Sequence, residues 1–205
     1  MISLLVISGS PVPGASTDIL LRQAADAVRR GLRGAARVRT TFVKLNDLRI
    51  LPCQACGEAP TPQFCFFDDD MAPLYRELAR CDCLLFGSPI HFDTVSSQAK
   101  LFIDRCNCVR PADFRGADPD HGFLKLIARK RPGAMVLVSG ERQWTEGARR
   151  VIAGFFKWAE VTNEGLLTYR TRGLEAGEAA GSAAALAEAD ALGHRLAGLL
   201  RRRCG

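Results

Sequence analysis

Three stretches of the 205-residue chain bring together residue types that can do chemistry. The first reads Ser8-Gly9-Ser10-Pro11-Val12-Pro13-Gly14-Ala15-Ser16-Thr17-Asp18, between an apolar run and an amphipathic one. A strand-to-helix turn leaves backbone N–H groups unpaired, and the helix dipole favours an anion there. Ser10, Ser16 and Thr17 add hydroxyl donors. Amides and hydroxyls without a required cation suit a monophosphate. The same residues also make an ordinary capped turn, since Ser and Thr are common N-caps. The second stretch, Ser88-Pro89-Ile90-His91-Phe92, closes a later apolar run, and Ser139-Gly140 closes another. The third is a cysteine set: of eight in the chain, Cys53, Cys56 and Cys65 share one loop. Cys-x-x-Cys is the minimal unit of either a redox pair or a zinc site.

Several chemistries are excluded at the first loop. No lysine follows its glycines as a nucleoside-triphosphate loop requires. Its spacing is not Gly-x-Gly-x-x-Gly. It carries no cysteine nucleophile, and no acidic pair sits at the strand end. Gly14-Ala15-Ser16-Thr17-Asp18 lacks the final glycine of a nucleophile elbow.

The elements that must position these residues alternate along the chain. Residues 2–7 read as a buried parallel strand, because they are apolar without alternation. Residues 18–32 read as a helix with Leu21, Ala24, Ala25, Val28 and Leu32 on one face, capped by Ser16 or Thr17. Further strands are expected at 38–45, 83–87, 134–138 and 166–170. Helices are expected at 68–80, 95–106, 146–158 and 182–203. A long loop covers 46–68 and an irregular insertion 109–133. This βα alternation predicts an α/β three-layer sandwich with a five-stranded parallel sheet in the order 2-1-3-4-5, as one domain over residues 1–205. Ligands in such sheets bind beyond the carboxyl ends of the strands, which is where the first two stretches lie.

Composition narrows the class. Apolar residues make up 47% and charged residues 24%, an ordinary globular balance. The net charge of +6 is spread out, with no basic stripe interleaved with aromatics, so nucleic acid is not an expected partner. No apolar run approaches the ~18 residues of a membrane helix. With no basic, export-type N-terminus, a soluble cytoplasmic protein with reduced thiols is expected.

From Ser88 to Arg105 the chain reads Ser-Pro-Ile-His-Phe-Asp-Thr-Val-Ser-Ser-Gln-Ala-Lys-Leu-Phe-Ile-Asp-Arg. This resembles the NAD(P)H-dependent FMN reductases and their iron–sulfur flavoprotein relatives, which carry Ser-Pro-[Val/Ile]-Tyr-Phe and then Val-Ser-x-Gln-x-Lys-x-Phe-Ile-Asp-Arg. The first loop is similar to the same family's phosphate loop. The resemblance implies a flavodoxin-like fold and FMN as cofactor. Ser10, Pro11, Gly14, Ser16 and Thr17 would lie at its phosphate, and Ser88, Pro89, Ile90, His91 and Phe92 at the ring edge. Ser139 and Gly140 would complete the pocket. It also implies hydride transfer from NAD(P)H to an acceptor such as flavin, a quinone or a nitro- or azo-aromatic. A homodimer or homotetramer is expected, in which Phe114, His121 and Phe123 of the insertion cover a partner's pocket. Two positions depart from the pattern. Val12 replaces an arginine, and His91, a candidate donor beside the flavin, replaces a tyrosine.

Leu51-Pro52-Cys53 through Asp68-Asp69-Asp70-Met71 is similar to the iron–sulfur relatives' cluster motif, but Ala59 stands where the third of four cysteines would be. Three readings of Cys53, Cys56 and Cys65 follow: packing residues of a cluster-less reductase, a redox or zinc-binding thiol set, or a cluster completed by an outside ligand. An iron–sulfur or flavodoxin-type electron carrier and a flavin or thiol redox sensor are the alternative functions. Helix length puts Cys106 about 18 Å from the flavin face. Cys81, Cys83, Cys106 and Cys108 are therefore expected on the rim opposite the Cys53–Cys65 loop. Asp68, Asp69 and Asp70 are expected to cap the next helix.

Overall fold

The computed structural model describes residues 1–56, 65–111, 125–127, 129–173 and 175–204. Ala59 and the stretch holding Phe114, His121 and Phe123 lie outside them. In chain order the elements are β1 (Ile2–Ser8), α1 (Ser16–Gly31), β2 (Val38–Lys44), α2 (Met71–Arg80), β3 (Cys83–His91), β4 (Thr94–Val95) and α3 (Ser97–Arg105). They continue with β5 (Arg110–Pro111), β6 (Lys125–Ile127), β7 (Arg131–Ser139), α4 (Glu146–Trp158), β8 (Val161–Arg170) and α5 (Ala183–Cys204).

The main sheet runs β2-β1-β3-β7-β8, all parallel, which is the expected path of five strands. β4 adds a short antiparallel rung to β3, and β5 pairs with β6 in a separate two-stranded sheet; neither was expected. Alternate residues of each inner strand feed opposite faces. Leu5, Ile7, Leu84, Phe86, Met135 and Leu137 meet α2, α3 and α4. Leu4, Val6, Leu85, Val136 and Val138 meet α1 and α5. This double burial is why β1 and β7 lack alternation. No helix among the described residues is long and apolar enough to cross a membrane.

Differences from expectation have local causes. β8 begins five residues early, because it is an edge strand whose Thr162, Asn163 and Glu164 break the apolar signal. β7 begins at Arg131 rather than Ala134, so the insertion is shorter. Pro132 and Gly133 argue against a strand from sequence, yet Gly133 is needed there, since a Cβ would lie 2.7 Å from the Leu84 carbonyl oxygen. β3 runs on to His91, held by the ladder pairs Ile90–Val95 and His91–Thr94. The linking residues Phe92 and Asp93 have φ of 49° and 60°. This is a tight two-residue turn that normally takes Asn or Gly, and a bulky phenylalanine there is strained.

Candidate functional site

The carboxyl ends of β1, β3 and β7 converge on a cavity of about 370 Å³ at the point where the chain leaves β1 for one side of the sheet and returns on the other. From the first loop, Ser10, Pro11, Ser16 and Thr17 line it. Pro89, Ile90 and His91 come from the end of β3, and Ser139 and Gly140 from the end of β7. Gln143 and Thr171 also line it and carried no recognisable signal in sequence. Thr171 is drawn in by its N–H bond to the Ser139 carbonyl at 2.8 Å.

The first loop is braced from beneath. Ser8 donates its hydroxyl to the Asp18 carboxylate, and the Ser10 N–H reaches Ser8 Oγ at 3.3 Å. The Lys44 ammonium, from the end of β2, donates to Asp18 Oδ2 at 2.6 Å and to the Val12 carbonyl at 2.9 Å. Sequence reading missed Lys44, since nothing local marks a lone lysine at the end of an edge strand. Ser16 and Thr17 do not cap α1. Both lie inside its first turn, after Ala15. Ser16 Oγ instead accepts the Ala179 N–H at 3.1 Å, tying the segment before α5 to the loop. Gly14, at φ +66°, shapes the turn without lining the cavity.

The β3–β4 hairpin is also fixed. Ser88 does not line the cavity; its buried Oγ accepts the Ser96 N–H at 2.9 Å and donates to the Pro89 carbonyl at 2.7 Å. Ser96 caps α3 by accepting from the Ala99 N–H, and it donates to the Gly9 carbonyl at 2.6 Å, locking the first two loops together. Asp93 accepts the Trp144 N–H at 2.8 Å, and Gly147 packs on the Asp93 carbonyl. Phe92 is 99% exposed and, with His91, Asp93, Arg142 and Gln143, borders a shallow recess beside the cavity.

The cysteines are arranged differently from expectation. Cys53 and Cys106 line one cavity of about 490 Å³, with Ile103 and Trp158, between the Cys53 loop and helices α3 and α4. The Cys65 sulfur lies 3.4 Å from Arg105 Nη2, at the end of α3. Cys53 and Cys65 therefore lie at the end of α3 that carries Cys106, not on the opposite rim. The cause is Arg105, whose buried guanidinium needs partners. It binds Asp69 through two N–H groups, bonds the Leu51 carbonyl at 2.9 Å and covers the Phe67 ring. Asp69 thus spends its carboxylate on Arg105, while Oδ1 also accepts the Met71 N–H at 3.1 Å; Asp70 accepts from the Arg49 N–H. The capping expectation holds for Asp69 only in that one bond.

Burial pushes the thiols of Cys81, Cys83, Cys106 and Cys108 up; the first three are buried and pack as small apolar groups, while Cys108 is half-buried. No three His, Cys, Asp or Glu side chains among the described residues gather into a group that could hold a metal. With Ala59 at the third cysteine position, Cys53, Cys56 and Cys65 supply three of the four thiolates that such a cluster takes.

The NADPH-dependent FMN reductase family model matches residues 2–164. An iron-sulfur flavoprotein of Methanocaldococcus jannaschii is 32% identical over 104 residues, 51% of each chain. An iron-sulfur flavoprotein of Methanosarcina thermophila is 25% identical over 155 residues, 76% of this chain and 71% of that protein. The chain spans about half the length of the first of these. Among solved structures, a flavone reductase superposes with a TM-score of 0.66 at 17% identity, covering 96% of this chain and 62% of that one. With the family model spanning most of its length, the chain belongs to the NADPH-dependent FMN reductase family.

Proposed function

We propose that the chain is one FMN-binding domain that passes hydride from NAD(P)H to a small-molecule acceptor: a flavin, a quinone or a nitro- or azo-aromatic. The observation that carries this reading is the convergence of three strand ends on one cavity whose floor is a hydroxyl-lined helix N-terminus. That donor set fits a phosphate monoester. Ser10, Ser16 and Thr17 offer hydroxyls, and the first turn of α1 offers backbone N–H groups. When bound, FMN supplies the hydride-accepting and hydride-donating centre, so no acid–base pair of the protein is needed. The residues of this chain bind and orient. Pro89 and Ile90 edge the ring, and Ser139 and Gly140 close the side beyond β7. His91 lines the mouth. The strained Phe92–Asp93 turn holds that edge against α4.

In this reading the protein works in the cytoplasm as a homodimer or homotetramer, and the exposed Phe92 and Trp144 beside the cavity suit a face covered by a second copy. The test is an anaerobic absorbance spectrum before and after NADPH. A two-banded flavin spectrum that bleaches supports the reading. A broad brown absorbance beneath it favours the alternative that the relatives' names suggest, an iron–sulfur electron carrier. A colourless protein that takes up no FMN refutes both.

A further inference from the structure

The first loop poses an electrostatic problem that the fold has solved. Asp18 stands in the first turn of α1 with its side chain only 7% exposed, directly beneath a loop that reads as a phosphate site. It organises that loop, since Ser8 donates to it and the Ser10 N–H is hung on Ser8. A carboxylate there also opposes a phosphate dianion. Two like charges a few Å apart in a protein-surface dielectric repel enough to shift a binding constant about tenfold or more. The loop itself brings no cation, because position 12 is valine and no Lys or Arg lies between Ser8 and Asp18.

The cation comes from another element. Lys44, at the last position of β2 and only 11% exposed, meets Asp18 Oδ2 at 2.6 Å and the Val12 carbonyl at 2.9 Å. Those contacts use two of its three N–H groups. They cancel the carboxylate and turn the Val12 carbonyl dipole toward β2. We propose that Lys44 is the charge-balancing, positioning residue of the phosphate loop, so that only N–H and O–H donors face the phosphate. The proposal rests on the FMN reading and adds to it a residue distant in sequence.

The test is equilibrium titration of the apoprotein with FMN and with riboflavin, which lacks the phosphate. Lys44→Met should weaken FMN binding about 10- to 100-fold and leave riboflavin binding unchanged. Adding Asp18→Asn to Lys44→Met should recover most of the lost FMN affinity, since no uncompensated charge then remains. Asp18→Asn alone keeps the side-chain size and one of the two acceptor oxygens, removes the negative charge and unmasks the ammonium, so FMN should bind more tightly while riboflavin does not. This single variant tests the idea even if Lys44→Met fails to fold. Equal losses for both flavins, no recovery in the double variant, or weaker or equal FMN binding by Asp18→Asn would each overturn the proposal. Wild-type protein that binds neither flavin overturns the underlying reading as well.

Discussion

Asp69→Ala tests how the segment bearing Cys53 and Cys65 is held to α3. The substitution leaves Arg105, whose side chain is 1% exposed, without its carboxylate partner. Removing one member of a buried pair costs about 3–5 kcal/mol, because the remaining charge stays buried. For a domain of this size each kcal/mol is worth about 2–4 °C, so the melting midpoint should fall by about 6–20 °C at pH 7. Replacing both partners, as Asp69→Leu with Arg105→Met, should recover part of that loss, since no buried charge remains. The pH dependence has a definite sign. Burial alone would push the Asp69 carboxyl up. The Arg105 hydrogen bond and the Leu51 and Met71 N–H groups outweigh burial and hold it below the usual carboxylate range. Its contribution is therefore full above an unfolded-state pKa of about 3.9 and is lost as pH falls through and below that value. Thermal melts by circular dichroism at pH 7, 5 and 3.5 should show the gap between wild type and Asp69→Ala narrowing at the lowest pH. A midpoint loss under about 3 °C at pH 7, or a double variant no better than the single ones, would refute the reasoning.

Gly147→Ala drives a Cβ into the Asp93 carbonyl and should cost about 1–3 kcal/mol while displacing the His91 edge; melting curves and NADPH oxidation should both register it. Ser88→Ala strands the buried Ser96 N–H at a cost of about 1–3 kcal/mol, and FMN affinity should fall with stability because the hairpin loosens. A thiol reagent followed by peptide mapping should modify Cys53, Cys56 and Cys65 in the native protein, and Cys81, Cys83 and Cys106 only after denaturation. Modification of Cys83 in the folded state would contradict the burial that raises its thiol pKa.

The expectations that came true share a physical basis. β1, β7 and α4 were legible because each buries a continuous face, and burial writes itself into apolar periodicity. The first residues of β8 and of β7 were not legible. An edge strand and a strand entrance need not be apolar, and their pairing comes from neighbours far along the chain. The same contrast runs through the candidate site. Ser10, Ser16, Thr17 and Ser139 line the cavity as their loops suggested, because a loop between a strand and a helix presents adjacent residues to one opening.

Partners brought by distant elements could not be named. Lys44 meets Asp18 across 26 positions and Arg105 meets Asp69 across 36. Only the folded sheet and its helices place those charges together. Thus the order of strands and helices, and the donors on each loop, were set by residues that are neighbours in the chain. Which cation balances which carboxylate, and on which side the cysteine loop lies, were decided by the tertiary structure, because a buried charge takes whatever partner the fold brings within reach.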